Sequence, residues 1–188
     1  MRLFVALDIP EDVRATLAAL VAKLRSASPN ARWARIEGVH VTLKFIGEVS
    51  PERADGITAS LANVPFPAPI AIHFSGLGFF PNERRPRVLW AGIQPGQALS
   101  VLAAAVETTL EPLGVPRETR AFSPHLTLAR FDSPGGLQAL HAAIKADGPM
   151  EFGSAIAKEF HLFLSVLKRG GAEYTRLATF CSEGSKSR

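Results

Sequence analysis

His40-Val41-Thr42-Leu43 and His125-Leu126-Thr127-Leu128 are one short pattern written twice, 85 positions apart (125 − 40), in a chain of 188 residues. Successive side chains of a β-strand point to opposite faces. His40 and Thr42 therefore share one face, and Val41 and Leu43 the other. The second copy divides in the same way, with His125 and Thr127 opposed to Leu126 and Leu128. Each strand would bury its aliphatic residues and offer an imidazole and a hydroxyl to the far side. Two such strands in one chain of this size suggest two similar lobes whose polar faces look at each other.

Outward from the first copy, Val39 to Ile46 reads as a strand stopped by Gly47. Ser50-Pro51-Glu52-Arg53 is a helix start, with Ser50 as N-cap and Pro51 in the first turn, and that helix runs to about Asn63. Upstream, Leu3–Leu7 is a short apolar strand closed by Asp8-Ile9-Pro10. Glu11–Leu24 carries helix-spaced apolar residues and ends over Ser26 to Asn30. Downstream, Pro65, Pro67 and Pro69 form a stiff connector before strand-like Ile70–Phe74. Gly76–Phe80 leads through a polar turn, Pro81-Asn-Glu-Arg-Arg-Pro86, to a strand at Arg87–Ala91, a hairpin with a basic tip. Gln97–Leu110 is helical by spacing, His125–Arg130 a strand and Leu137–Lys145 a short helix. Glu159–Leu167 and Tyr174–Phe180 form a final strand pair around Lys168-Arg-Gly-Gly171. The strands come in hairpin-like pairs and no βαβ glycine fingerprint is present, so the pattern favours α+β with antiparallel sheets.

Bulk properties limit the alternatives. The composition is 47% hydrophobic and 20% charged, ordinary for a chain that buries a full core. A formal net charge of +4 suits an anionic ligand but is far from the lysine runs of chromatin proteins. The single cysteine, Cys181, excludes an intrachain disulfide framework and a cysteine-rich zinc site, and it reads as a packed residue after an apolar run. No stretch approaches the roughly 20 apolar residues needed to span a bilayer, and the apolar start is too short for a signal peptide. A soluble, cytoplasmic protein with no membrane partner is expected. Only the small polar tail at 183–188 reads as flexible.

Two histidines and two threonines converging on one cleft suit a phosphate. Hydroxyls donate to non-bridging oxygens, and an imidazolium adds charge. Phosphodiester hydrolysis needs a base to take a proton from water and an acid to protonate the leaving oxygen. Two imidazoles with an unperturbed pKa of about 6.5 supply both, if one starts neutral and the other protonated. His73, His161 and His141 read as surface or packing residues. No His-x-x-x-His or His-Glu pair is available for zinc, so no metal is expected.

With these motifs the sequence resembles the 2H phosphoesterases, and within them the bacterial and archaeal RNA 2′,3′-cyclic phosphodiesterases, historically called 2′-5′ RNA ligases. The resemblance rests on Arg2-Leu-Phe-Val-Ala-Leu-Asp8, Arg32-Trp33, His40-Val-Thr-Leu-Lys-Phe-Ile-Gly47 and Gly76-Leu-Gly-Phe-Phe-Pro81. Pro86-Arg-Val-Leu-Trp-Ala-Gly92 and Phe122-Ser-Pro-His-Leu-Thr-Leu-Ala-Arg130 complete it. It implies a single bilobal domain: two pseudo-symmetric lobes, each an antiparallel sheet with outer helices, around a central cleft. It implies hydrolysis of RNA 2′,3′-cyclic phosphate ends, on tRNA fragments or oligonucleotides, to 2′-phosphates by a monomer without a cofactor. His40 would be the proton donor to the departing 3′-oxygen, His125 the proton acceptor that activates water, and Thr42 and Thr127 would hold the phosphate.

The resemblance also places Arg130 beside the substrate. Strict alternation turns Arg130, five positions beyond His125, to the opposite face, so a strand end or bulge is required. Phe4, Trp33, Phe45 and Phe122 are the aromatics available to stack on a base. Arg84, Arg85 and Arg87 would either track an RNA backbone or simply solvate a hairpin tip. Ser123 stands where relatives often carry an arginine before Pro-His, which thins the positive field at the cleft. Two other functions fit the same residues: ATP-independent 2′-5′ RNA ligation as the main activity, and a non-catalytic module that binds RNA ends. The intact histidine pair argues against the second, because binding alone needs no acid–base pair.

Overall fold

The computed structural model describes residues 1–66, 69–94, 96–132, 137–169 and 171–181. The tail expected at 183–188, Pro67 of the connector and Gly170 of the last turn lie outside the described residues. The elements are β1 (Arg2–Leu7), α1 (Glu11–Ala27), β2 (Arg32–Trp33), β3 (Val41–Glu48), α2 (Pro51–Leu61), β4 (Ile70–Phe80) and β5 (Val88–Gln94). They continue with α3 (Gln97–Leu110), β6 (His125–Arg130), α4 (Leu137–Asp147), β7 (Glu151–Ala157), β8 (Glu159–Lys168) and β9 (Gly171–Cys181).

Local signals account for most of these elements. Ser50 caps α2 by accepting from the Arg53 backbone N–H at 3.3 Å, with Pro51 in the first turn. In α1, Val13, Leu17, Val21 and Leu24 form one buried stripe. The two segments expected over Ile70–Phe74 and Gly76–Phe80 are one strand, β4, with a register irregularity between Phe74 and Leu77. Gly76, at φ +72°, supplies the left-handed conformation there. Two strands carry no local signal. The two-residue β2 is too short to show a period, and β7 is interrupted by Gly153 and Ser154.

The strands form two antiparallel sheets, in the orders β3-β1-β8-β9 and β2-β6-β5-β4-β7. The order of elements repeats: β1-α1-β3-α2 is matched by β5-α3-β6-α4. After each repeat the chain crosses over. β4 follows α2 but pairs with β5 in the second sheet, and β8 follows α4 and β7 but pairs with β1 in the first. Each sheet is thus built from both halves of the chain. The helices straddle the division as well, with α1 against α4 and β7, and α3 against α2, β3 and β4. One cluster of buried side chains consequently runs through both sheets, from Leu3, Val5 and Leu7 of β1 to Leu89, Leu126 and Leu128 of β5 and β6.

The opposite face of the first sheet carries a separate small cluster, Phe4, Ala6 and Phe163. This is the face that receives the polar residues of β3. Thr42 pairs with Ala6 and Phe45 with Phe4.

Candidate active site

Strands β3 and β6 approach one another where the two sheets meet. The link between them is short: β2 pairs with β6, and a 3-10 turn at Ile36–Gly38 carries the chain directly into His40. Arg14 of α1 clamps this turn, its Nη1 donating to the carbonyls of Ile36 at 2.8 Å, Glu37 at 2.8 Å and Val39 at 3.2 Å. Ala34 N–H donates to the Leu128 carbonyl at 2.8 Å and ties the turn to β6.

The two histidines are held alike. His40 Nδ1 lies 2.7 Å from the carbonyl oxygen of Gly38, and His125 Nδ1 lies 2.8 Å from that of Ser123. A carbonyl oxygen only accepts, so each Nδ1 carries a proton and donates it. Each Nε2 is left to act as an acceptor when the ring is neutral or a donor when it is charged. Ser123 contributes through its backbone, so the side chain that departs from the family pattern leaves this contact untouched.

Aromatic rings fix both imidazoles. His40 stacks on Phe4 at 4.6 Å between centroids and meets the Tyr174 edge at 5.1 Å. His125 meets Phe80 edge-on at 5.0 Å and Trp90 at 6.5 Å. Burial lowers the pKa of His40. The Gly38 carbonyl and the Asp8 carboxylate work in the opposite direction, while Arg14 and His125 add to the lowering.

The alternation behind the His–Thr pairing holds for the first four residues and then fails in both strands. Ala6 pairs with Thr42 but Val5 with Lys44, so β3 bulges at Leu43. Trp90 pairs with Thr127 but Leu89 with Ala129, so β6 bulges at Leu128. A bulge inserts one residue and reverses the phase of the residues beyond it. Leu43 and Lys44 are both buried, as are Leu128 and Ala129, and the residue five beyond each histidine returns to the histidine face. That residue is Phe45 in one strand and Arg130 in the other. The bulge required for Arg130 is therefore present, with Arg130 opposite Val88, on the same face of β5 as Trp90.

The bulge also turns Lys44 inward. It is 6% exposed, donates to the Pro116 carbonyl at 2.6 Å and pairs with Glu107 of α3.

Of the four candidate stacking aromatics, only Phe45 is free, at 64% exposed. Phe4 lies beneath His40. Trp33 donates its indole N–H to the Ser28 carbonyl at 3.0 Å, and Phe122 packs against the core. The supporting rings Phe80, Trp90, Phe163 and Tyr174 carry no sequence signal of their role. β8 is apolar on both faces over Leu162, Phe163 and Leu164, which hides the face that Phe163 takes. A cavity of about 950 Å³ opens beside His40, between α1, the 3-10 turn and β9. Asp8, Arg14, Arg35, Phe163, Tyr174 and Arg176 are among its lining residues.

The other histidines lie elsewhere. His73 sits between Ser154 and Glu151, and His141 is edge-on to Phe79. His161 is buried, with Thr179 Oγ1 at 3.0 Å from its Nδ1. Cys181, expected to be packed, is exposed. It ends β9, the edge strand of the first sheet, and its pKa is raised by desolvation first and then by the neighbouring Glu159. Among the described residues no three His, Cys, Asp or Glu side chains come together to hold a metal ion, and no helix is long and apolar enough to cross a membrane.

Two sheets of α+β architecture presenting paired His–Thr strands at their junction define a two-histidine phosphoesterase. The family model described as "LigT like Phosphoesterase" matches this chain twice, over residues 7–90 and 92–174, one match for each His-x-Thr-x half. The chain belongs to that family. An RNA 2′,3′-cyclic phosphodiesterase of Archaeoglobus fulgidus is 33% identical over 96% of this chain and 99% of its own length. One from Aeropyrum pernix is 39% identical over 75% of this chain and 80% of its own. The crystal structure of E. coli LigT complexed with 3′-AMP superposes with a TM-score of 0.79 at 28% identity, covering 96% of this chain and 97% of that one.

Proposed function

We propose that this protein opens 2′,3′-cyclic phosphates at RNA ends to 2′-phosphomonoesters by metal-independent acid–base catalysis between His40 and His125. The observation that carries the proposal is the matched fixing of both rings. Each Nδ1 is committed to the carbonyl two residues back, so each imidazole acts through Nε2 alone.

In this reading His125 Nε2 takes a proton from water as the water oxygen attacks phosphorus. The bond from phosphorus to the 3′-oxygen breaks, and His40 Nε2 protonates that oxygen. Thr42 and Thr127 donate to the non-bridging oxygens from the same two faces, and Arg130 adds a guanidinium to the developing charge. Burial works against a protonated His40, whereas the charge of a bound phosphate would work for it, as Asp8 already does. Phe45 offers an exposed ring for the nucleobase. Both histidines come from one chain, which makes the site complete in a monomer. The single cysteine suits a reducing compartment and hence the cytoplasm.

The test is to incubate chelator-treated protein with a nucleoside 2′,3′-cyclic phosphate and follow the product by phosphorus NMR. Formation of the 2′-phosphate is expected. His40→Ala or His125→Ala should each lower the rate at least about a hundredfold. Full activity in either variant would sink the mechanism.

A further inference from the structure

The β4–β5 hairpin projects past His125. Its base is fixed at the site, with Phe80 edge-on to His125 at 5.0 Å and Pro86 buried. Its tip is built to hold a shape. Asn82 Oδ1 accepts from the backbone N–H groups of Arg84 and Arg85, each at 3.1 Å, and Arg87 N–H closes the loop on the Phe80 carbonyl at 2.6 Å. Phe131 N–H donates to the Arg87 carbonyl at 3.0 Å and anchors the loop to the end of β6, next to Arg130.

The charges at this rim are unequal. Arg32 pairs with Asp132 at 2.6 Å, and Arg87 Nη1 donates to the Asp132 carbonyl at 3.3 Å. Arg84, Arg85 and Arg130 are exposed, and among the described residues none has a carboxylate within ion-pairing distance. Elsewhere Lys23 pairs with Asp147, Arg117 with Glu111, Lys168 with Glu173 and Arg176 with Asp8, while the exposed Arg25 and Lys158 pair with no acid among the described residues. Across the cleft the first sheet presents rings, with Phe45, Phe163 and Tyr174 around His40. Both walls carry rings, and the His125 wall adds the exposed guanidinium groups of Arg84, Arg85 and Arg130 to its own Phe80 and Trp90. A mononucleotide has no phosphate beyond the reacting one for Arg84 and Arg85 to meet. A longer strand does.

We infer that Arg84 and Arg85 form a backbone track for the internucleotide phosphates upstream of the reacting end, making the protein selective for polynucleotide over mononucleotide substrates. This rests on the proposed hydrolysis and extends it from the reacting phosphate to the strand that carries it. Guanidinium groups fit phosphate oxygens with paired hydrogen bonds, and a rigid loop orders them at low cost. Such contacts carry no base information, so the track would be indifferent to sequence.

The test compares kcat/KM for a short RNA oligonucleotide ending in a 2′,3′-cyclic phosphate with that for the corresponding mononucleotide. It uses the wild type, an Arg84→Gln/Arg85→Gln double variant, and an Arg25→Gln/Lys158→Gln control that removes the same charge from exposed sites elsewhere. Turnover of the mononucleotide by the wild type checks the underlying reaction separately. For single strands each phosphate contact contributes a salt slope of about 0.7, so two contacts contribute about 1.4. Between 50 and 200 mM salt the wild-type preference for the oligonucleotide should fall about sevenfold more than that of the double variant. The double variant should lose that preference at low salt while its mononucleotide rate serves as the reference. An unchanged preference, an equal loss on both substrates, or an equal loss in the control would each overturn the track.

Discussion

Replacing Gly78 by alanine is expected to dislodge the ring that backs His125. Gly78 pairs with Trp90 across β4 and β5, and the indole lies flat over it. A Cβ at Gly78 would stand 2.2 Å from Trp90 Cζ2, 2.3 Å from Cη2 and 2.7 Å from Cε2. Ordinary carbon contacts are about 3.5–4.0 Å, so the ring edge must move by more than about 1 Å. It has little freedom to do so. Trp90 is held in the ladder opposite Thr127, and its ring packs on Phe80 at 5.2 Å and His125 at 6.5 Å. Overpacking of this kind costs about 1–3 kcal/mol. At roughly 2–4 °C per kcal/mol for a chain of this size, Tm should drop by about 2–12 °C. Without the clash the sign would reverse, because replacing glycine by alanine at an unstrained site usually stabilises by about 0.4–1 kcal/mol. Displacement of His125 should also lower kcat on the cyclic phosphate, by up to about a hundredfold for a shift near 1 Å. The assay pairs thermal unfolding with steady-state kinetics, in the wild-type and Trp90→Leu backgrounds. With the indole removed, Gly78→Ala should cost less than about 0.5 kcal/mol, the range of an unobstructed substitution. An unchanged Tm and kcat in the single variant, or an equal cost in both backgrounds, would refute the packing argument.

Other perturbations test the same geometry. Phe45→Ala should raise KM with a smaller effect on kcat, by about 5- to 150-fold if the ring supplies the 1–3 kcal/mol typical of base stacking; an unchanged KM removes Phe45 from the site. Breaking the buried pair with Lys44→Ala leaves the Glu107 carboxylate without its counter-ion and should cost about 3–5 kcal/mol in a denaturant titration, whereas replacing both partners together, Lys44→Met with Glu107→Leu, should cost much less. His40 and His161 both have pKa values lowered by burial, so the unfolded chain binds their protons more readily than the folded one. The stability they contribute is complete above about pH 6.5 and is lost as pH falls through their folded pKa values. Tm should therefore decline below about pH 6.5, and His161→Gln should flatten that decline.

The pair of His-x-Thr-x strands was legible because it depends only on local chemistry. Period-two alternation puts histidine with threonine and leucine with valine, and Leu126, Leu128 and Val41 are fully buried as that pattern demands. The N-cap at Ser50 and the apolar stripe of α1 were legible for the same reason. Features decided by neighbours across the sheet were not. The bulges at Leu43 and Leu128 are set by register against β1 and β5, and they reverse the parity of everything downstream. No local pattern distinguishes Phe45 and Arg130 on the cleft face from Lys44 and Ala129 in the core. The exchange of β4 and β8 between sheets is likewise a property of pairing partners far apart in the chain. Sequence alone thus determined which two residues of each strand share a face. Tertiary pairing decided which third residue joins them, because strand phase is local only until a bulge resets it.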